Sequence, residues 1–239
     1  ANPTVPAEAT HVPWDGGRGV IDASSGAIIL SGGYPAPPGE DLRSQRFYTV
    51  SQDRGQSWGP IRAFGAPGWP QRWDGHFVVA HGMLAFSYLA EAVPVEGAKC
   101  LCVVFATSPD GGATVERHLV AQVDFFDRLV HYPPIAAHPA RKGAYVLALA
   151  SDKLGYPSVR VTSDGGKSWR EMGGLVAPDG VVRSSRPALA YAPDGTLALL
   201  WRGYHADGSY DMYMTASTDG ERFGAARRIS EASSLVPEE

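Results

Sequence analysis

The sequence predicts an all-β protein built from four consecutive repeats of four antiparallel strands. A short motif recurs at residues 51–58, 108–115, 163–169 and 217–223, and each copy contains one aspartate: Asp53, Asp110, Asp164 and Asp219. These aspartates are 57, 54 and 55 residues apart. Each interval holds several short alternating strand patterns and no long helical pattern. A repeat of this length and content is typical of a β-propeller blade, which consists of four antiparallel strands.

We predict a single domain over residues 1–239, with blades at about 14–64, 72–121, 131–173 and 183–230. The strands are assigned from β-branched and aromatic runs bounded by Gly, Pro and Asp. They are 19–23, 27–32, 46–51 and 60–64 in the first blade, 77–80, 83–89, 100–107 and 115–121 in the second, 134–137, 144–150, 158–162 and 169–172 in the third, and 188–192, 196–201, 211–216 and 223–229 in the fourth.

Glycine-containing pairs separate the first two strands of every predicted blade. These pairs are Ser25-Gly26, His81-Gly82, Lys142-Gly143 and Asp194-Gly195. A tight hairpin needs positive φ at this point, and glycine adopts it without steric cost. The aspartate motif follows the third strand of each blade and therefore predicts the turn into the fourth.

Strand direction predicts on which face of the propeller each connection lies. The two tight turns of every blade share one face, and the longer loops share the other. The longer loops are 33–45, 65–76, 90–99, 122–133, 151–157, 173–187 and 202–210. We expect a ligand site on the face of the longer loops, because binding residues concentrate on loops that a rigid scaffold positions.

The aspartate motif itself indicates a folding device. The carboxylate can accept backbone N–H groups of its own turn, the glycine supplies positive φ, and the Ser or Thr hydroxyl bonds back to the backbone. Calcium binding is disfavoured, because calcium takes six to eight oxygen ligands and each turn offers one carboxylate.

Composition and charge argue against several classes of partner. The net charge is −4, and no run of Lys or Arg exceeds two residues, so the basic surface that nucleic acid requires is not indicated. No stretch approaches the roughly 20 apolar residues of a membrane span, and no membrane partner is expected. Cys100 and Cys102 are interpreted as small buried residues, because neither has a ligand or disulfide partner at suitable spacing.

No cofactor is predicted, because metal, phosphate-loop and dinucleotide motifs are not found in the sequence. The first ten residues lack a basic and apolar leader and resemble the Pro-rich start of a mature exported protein. A secreted or periplasmic location is therefore expected. The oligomeric state is not predicted from these features.

The motif Ser/Thr-x-Asp-x-Gly-x-Ser/Thr-Trp resembles the Asp box, or bacterial neuraminidase repeat, of the sialidase superfamily. The copies at 51–58 and 162–169 match closely, the copy at 108–115 lacks the aromatic residue, and that at 217–223 is one residue shorter. The resemblance implies a sialidase-like β-propeller. Sialidases have six blades, so the four repeats here represent either a ring of four or five blades or part of a larger protein.

The resemblance also implies residues for binding an acidic glycan. Sialidases hold the substrate carboxylate with three arginines, which pair bidentately with it. Arg18 is similar in position to the first of these, and Arg202, at the end of 186–202, to the second. Arg186 stands where the family usually has glutamate, and we include it as a further contact for the acidic group. The acid/base aspartate of the family lies in the loop that contains Asp41.

A sialidase-like mechanism requires a tyrosine nucleophile. Tyr204 and Tyr210 on the predicted loop face are the first candidates, followed by Tyr132 and Tyr156. The other expected substrate contacts mix aromatic, basic and acidic side chains, which suits sugar binding: Arg72, Trp73, Asp74, His76, His131 and Tyr132.

Two alternatives remain open. The first is a propeller that binds carbohydrate or protein without catalysis. The second is an enzyme of another class that uses His76, His131 and Asp74 for acid/base chemistry.

Overall fold

The computed structural model describes residues 15–21, 26–34, 45–66, 71–73, 76–91, 101–123 and 133–235. These residues form strands, turns and bends, and no helix occurs among them. This part of the chain accordingly contains no helix of the length and hydropathy needed to cross a membrane. The chain divides into two compact units, residues 1–122 and 123–239, and each contains two antiparallel sheets.

The first unit contains the first two sheets. The first sheet pairs its strands in chain order: β1 (Asp15–Ile21), β2 (Ile28–Tyr34), β3 (Gln45–Ser51) and β4 (Arg62–Ala63). The strands of the second sheet are β5 (Gln71–Trp73), β6 (Phe77–Ala80), β7 (Met83–Glu91), β8 (Leu101–Ser108) and β9 (Glu116–Val123). Its order is β5-β7-β8-β9, and β6 also pairs with β7, so two short strands share the first position.

The second unit contains the third and fourth sheets. The third sheet pairs β10 (Ile135–Ala137), β11 (Tyr145–Leu149), β12 (Ser158–Thr162) and β13 (Arg170–Glu171) in chain order. The fourth pairs β14 (Val181–Tyr191), β15 (Leu197–His205), β16 (Ser209–Ser217) and β17 (Arg227–Arg228) in the same way, and β18 (Ser234–Leu235) pairs with the start of β16. The predicted all-β fold of four-stranded antiparallel repeats is thus confirmed.

The strand limits of the fourth sheet differ from the prediction. β14 begins at Val181 rather than at residue 188, and β15 continues to His205 rather than ending at residue 201. The predicted loops at 173–187 and 202–210 are therefore wrong at residues 181–187, which belong to β14, and at residues 202–205, which belong to β15. The alternating burial of β15 continues through Gly203, and the tight turn at Asp207-Gly208, where Gly208 has φ of 85°, joins the strand to β16.

The core of the first unit is a cluster of aromatic rings between its two sheets. Tyr48 from the first sheet lies 5.7 Å from Phe86 of the second, measured between ring centroids. Phe64 packs edge-on against Phe86 at 5.3 Å. These side chains are almost fully buried, and aromatic pairs in such arrangements stabilise beyond their buried area.

The core of the second unit is built around Trp201. This side chain is fully buried, stacks on Tyr213 at 5.7 Å and donates from Nε1 to the carbonyl oxygen of Gly155 at 3.1 Å. Trp201 and Tyr213 belong to the fourth sheet, and they cluster with buried Val146 and Val159 of the third. One face of the fourth sheet is therefore occupied by the core.

The aspartate motifs form the turns between the third and fourth strands of all four sheets. We call residues 51–58, 108–115, 162–169 and 217–223 the aspartate turns. In the third one, Oδ1 of Asp164 accepts from the backbone N–H of Ser168 at 3.0 Å, and Oδ2 accepts from its hydroxyl at 2.6 Å. Thr162 Oγ1 donates to Asp164 at 2.7 Å and accepts from the N–H of Gly166, which has φ of 99°, at 3.0 Å. Both hydrogen-bonding roles predicted from the motif, and the positive φ predicted for its glycine, are present here.

These hydrogen bonds favour the ionised carboxylates. Bonds from the side chain and backbone of Ser57 lower the pKa of Asp53 to about 2. The pKa of Asp110 is likewise lowered to about 2, chiefly by the backbone and side chain of Thr114. The pKa of Asp164 is lowered still further by Ser168.

The hydroxyl of Thr162 is expected to contribute to stability. In a Thr162→Val variant the N–H of Gly166 loses its acceptor in a buried position, so we expect the free energy of unfolding to fall by about 1–2 kcal/mol. Urea unfolding measures this change. Thr218→Val is the control, because Thr218 is exposed. Equal losses in the two variants would contradict a role for the turn.

The aspartate turns also predict a dependence of stability on acid pH. Their carboxyl pKa values are depressed in the folded protein, to about 2 at Asp53 and Asp110, and are close to 3.9 in the unfolded chain. The stabilisation is therefore complete above pH 4 and is lost as the pH falls towards 2. We expect the Asp53→Asn/Asp110→Asn variant to lose less stability than the wild type across this window in urea titrations at successive pH values.

Candidate functional site

The predicted site residues fall into three groups in the structure. Arg202, Tyr204, Tyr210 and Arg186 lie on the fourth sheet, and His76 lies before β6 of the second. The backbones of Arg18, Arg72 and Trp73 lie on β1 and β5. Asp41, Asp74, His131 and Tyr132 lie outside the described residues.

His76 is held by the backbone of the second sheet. Its carbonyl oxygen accepts from the N–H of Ser87 at 2.9 Å, and its own N–H donates to the Ser87 hydroxyl at 3.4 Å. The proposed partners of His76 in acid/base chemistry, Asp74 and His131, lie outside the described residues. The role of His76 thus stays a prediction.

The fourth sheet brings together the residues that form the candidate site. Tyr204 on β15 pairs directly with Tyr210 on β16 and with Arg183 on β14. Arg202, two residues before Tyr204, pairs with Ser185. Directly paired residues project to one face of a sheet, as do residues two apart along a strand, so all five side chains share a face. Trp201 and Tyr213, at alternate positions, project into the core on the other face.

We call these five side chains the tyrosine-arginine stack, because two adjacent tyrosine rings lie between two guanidinium groups. The guanidinium carbon of Arg183 lies 4.4 Å from the ring centroid of Tyr204, and that of Arg202 lies 4.0 Å from the ring centroid of Tyr210. The two rings are 5.6 Å apart and tilted by 51°. Both guanidinium groups are within the range of cation–π attraction, which helps to fix their positions.

The hydroxyl of Tyr204 lies at the centre of this arrangement. It accepts a hydrogen bond from Nη1 of Arg202 at 3.2 Å and another from the hydroxyl of Ser185 at 3.4 Å. Burial by itself raises the pKa of Tyr204, but these hydrogen bonds and the charges of Arg202 and Arg183 outweigh it, so the pKa lies below the ordinary value. The site therefore stabilises the tyrosinate form.

Arg202 has further capacity to bind an anion. Its Nε atom is buried and has no hydrogen-bond partner among the described residues. A buried guanidinium N–H without an acceptor is unfavourable, and an oxygen of an anionic group is a suitable acceptor.

Arg186 has an unusual backbone conformation beside the stack. Its φ is 47°, in the left-handed region that non-glycine residues rarely adopt, and it precedes Pro187, which further restricts it. The register of β14 against β15 shifts between Ser185 and Ala188, so Arg186 lies within a bulge. Its side chain is exposed. Such strain is found preferentially at functional sites.

An ionic network around the buried carboxylate of Asp211 supports this end of the sheet. The carboxylate of Asp211, only 3% exposed, contacts His205 Nε2 at 3.0 Å, Arg228 at 3.0 Å and the Ser230 hydroxyl at 2.8 Å. The other ring nitrogen of His205 lies 3.2 Å from the carbonyl oxygen of Gly180. The network joins the hairpin after Tyr204 to the chain before β14 and to the segment after β17.

Sequence reasoning did not find Arg183 and Ser185. Both were assigned to a loop, because β14 was predicted to begin seven residues too late. One signal in the sequence could have found them: Arg183 and Ser185 are two residues apart, as are Arg202 and Tyr204, which is the spacing of side chains on one face of a strand.

The stack presents two guanidinium groups, which are suited to binding an anion, and a tyrosine hydroxyl whose pKa is lowered. In the described part of the chain, no group of three or more His, Cys, Asp or Glu residues is placed to hold a metal ion.

Solved structures resemble this chain, whereas no protein-family model and no curated protein matches it. The Hadza microbial sialidase Hz136 aligns with a TM-score of 0.58 and 18% identity, over 90% of this chain and 45% of that one. An α-L-arabinanase of Penicillium chrysogenum, solved with arabinobiose, aligns with a TM-score of 0.62 and 18% identity, over 89% and 65%. The intramolecular trans-sialidase of Ruminococcus gnavus, solved with oseltamivir carboxylate, aligns with a TM-score of 0.60 and 12% identity, over 92% and 71%.

The chain thus spans 45% of the length of that sialidase and 65% of that arabinanase. The likeness agrees with the four antiparallel sheets, each formed by one sequence repeat. On these grounds, the chain has the sialidase-like β-propeller fold.

Proposed function

We propose that the chain acts as a sialidase-like glycoside hydrolase on an acidic glycan, with its site at the tyrosine-arginine stack. The observation that carries the proposal is the hydroxyl of Tyr204, which is bonded to Arg202 and Ser185 and has a lowered pKa. The likeness to sialidases and an arabinanase supports a carbohydrate substrate. Such a substrate agrees with the secreted or periplasmic location expected from the sequence.

Tyr204 is the proposed nucleophile. Its phenolate oxygen attacks the anomeric carbon while the bond to the leaving oxygen breaks, and a carboxylic acid protonates that oxygen. Water then attacks the same carbon, the acid residue now takes the proton of the water, and the tyrosinate is released. Asp41 is proposed as this acid/base residue by resemblance alone. Tyr210 is the second candidate nucleophile, but it serves here chiefly as the aromatic support of Arg202.

The arginines are proposed to bind the acidic group of the substrate. The unpartnered Nε of Arg202 and the exposed Arg186 lie on the same sheet, and Arg18 is proposed as a further contact. The remaining proposed substrate contacts come from the sequence pattern: Arg72, Trp73, Asp74, His76, His131 and Tyr132.

A non-catalytic binding function is the second candidate, and the burial of Tyr204 favours it. Tyr204 is only 8% exposed, and its hydroxyl is engaged by two neighbours. In that case the stack would bind an anionic sugar through Arg202 without forming a covalent intermediate.

Replacement of the Tyr204 hydroxyl distinguishes these two functions. Tyr204→Phe keeps the ring against the Arg183 guanidinium and removes only the hydroxyl. If the chain is a hydrolase, we expect kcat on a fluorogenic sialoside to fall by at least about 100-fold, with a much smaller change in KM.

Tyr213→Phe is the matched control, because Tyr213 lies on the same sheet but faces the core, and we expect it to retain activity. A wild-type protein that binds sialylated glycans on an array but does not turn them over would indicate the binding function. Binding should then survive Tyr204→Phe and be lost in Arg202→Met.

The pH dependence of turnover offers a separate check. Because only the tyrosinate attacks, kcat should rise with pH through the pKa of Tyr204, which Ser185 and Arg202 lower. Ser185→Ala removes one of these hydrogen bonds, so we expect the rising limb to move to higher pH. Ultraviolet titration of the tyrosinate should report the same displacement, and an unchanged profile in this variant would contradict the assignment of Tyr204.

A further inference from the structure

A second cleft lies at the other end of the sheets of the second unit, beside the aspartate turns. Its volume is about 170 Å³. One wall carries Trp169 and Arg170 of the third sheet, the opposite wall carries Gly220 and Glu221 of the fourth, and Arg141 and Tyr191 complete the lining. None of these residues belongs to the tyrosine-arginine stack, and the strands of the fourth sheet separate the two sites.

A comparison of the two units explains why the cleft is open. In the first unit, Gln52 packs over the neighbouring aspartate turn, with its Nε2 only 3.0 Å from where a Cβ on Gly111 would lie. In the third aspartate turn the equivalent residue is the shorter Ser163. The fourth turn is one residue shorter than the third. A Cβ built on Gly220, the counterpart of Gly111, would have only Nη2 of Arg141 within 4 Å among the described atoms. Two differences in sequence thus leave space that the first unit fills.

The walls of the cleft are held in place by hydrogen bonds. Nη2 of Arg170 donates to the carbonyl oxygen of Gly220 at 3.2 Å and to Glu221 at 2.6 Å, which ties the two walls together. The indole N–H of Trp169 donates to the carbonyl oxygen of Gly166 at 3.0 Å. Tyr191 packs against His138, with ring centroids 5.1 Å apart. The aromatic surfaces are therefore preorganised rather than free to collapse into the space.

The charges lining the cleft are balanced. Two guanidinium groups, of Arg141 and Arg170, face two carboxylates, of Asp219 and Glu221. Within the described part of the chain, the Arg141 side chain forms no hydrogen bond, and Asp219 uses only Oδ1 to accept from its own turn. The cleft thus presents both a donor and an acceptor without a net charge.

We propose that this cleft binds one neutral sugar residue. A sugar hydroxyl both donates and accepts, so it can bond to Asp219 Oδ2 and Arg141 together, while the C–H face of the ring packs on an aromatic side chain. The balanced charge gives no preference for an anion. The volume lies below the roughly 300 Å³ of the smallest drug-sized pockets, which suits a single ring. This inference is independent of the proposed hydrolysis.

Binding is tested by titrating the full chain with neutral methyl glycosides, namely methyl β-galactopyranoside, methyl α-glucopyranoside and methyl α-arabinofuranoside, alongside the acidic methyl galacturonoside. Calorimetry or ligand-observed NMR follows each titration. We expect at least one neutral glycoside to bind, and the acidic one to bind more weakly. Ser163→Gln should weaken binding at least about tenfold by filling the cleft as Gln52 does, and Arg141→Ala should do so by removing the donor.

Arg227→Ala is the matched control, because Arg227 is exposed and does not line the cleft, and its affinity should stay within about twofold of the wild type. Turnover of the fluorogenic sialoside should be unchanged in Ser163→Gln. The proposed hydrolysis and the proposed binding of a neutral sugar are therefore tested independently of each other. The proposal is overturned if no neutral glycoside binds, if the acidic glycoside binds best, or if binding persists in both cleft variants.

Discussion

The alternation of side chains across paired antiparallel strands is the constraint on which this structure depends. In the fourth sheet it places Trp201 and Tyr213 in the core, while Arg202 and Tyr204, one and three positions beyond Trp201, project to the other face. A shift of one residue in register would exchange the two sets, burying guanidinium groups and exposing the indole. The stability of the core and the geometry of the candidate site are therefore fixed by the same register.

The aspartate turns secure the short fourth strands, which are only two residues long in three of the four sheets. A strand of that length has too few ladder hydrogen bonds to hold its own position, so the carboxylate, which bonds to the backbone of its turn, helps to fix where the strand begins. Small differences between the turns then have local consequences. Gln52 packs against the adjacent turn in the first unit, and where the shorter Ser163 stands at the equivalent position in the second unit there is a cleft.

In the tyrosine-arginine stack, hydrogen bonds and neighbouring charges lower the pKa of Tyr204. Burial ordinarily raises the pKa of a tyrosine, as it does at the fully buried Tyr88. At Tyr204 two hydrogen-bond donors and two guanidinium charges reverse this effect. The Asp211 network restrains the hairpin that carries Tyr210, so the donors stay where the hydroxyl requires them.

The sequence by itself determined the repeat, the antiparallel connectivity and the role of the aspartate turns, because these depend on local hydrogen bonding and on the period-2 pattern of strands. It also selected Arg202, Tyr204 and Tyr210. It did not reveal Arg183 and Ser185, because their part in the site comes from cross-strand pairing with residues about 20 positions away. Tertiary structure alone decided the lowered pKa of Tyr204 and the open cleft between two aspartate turns, because both depend on side chains that distant segments bring into contact.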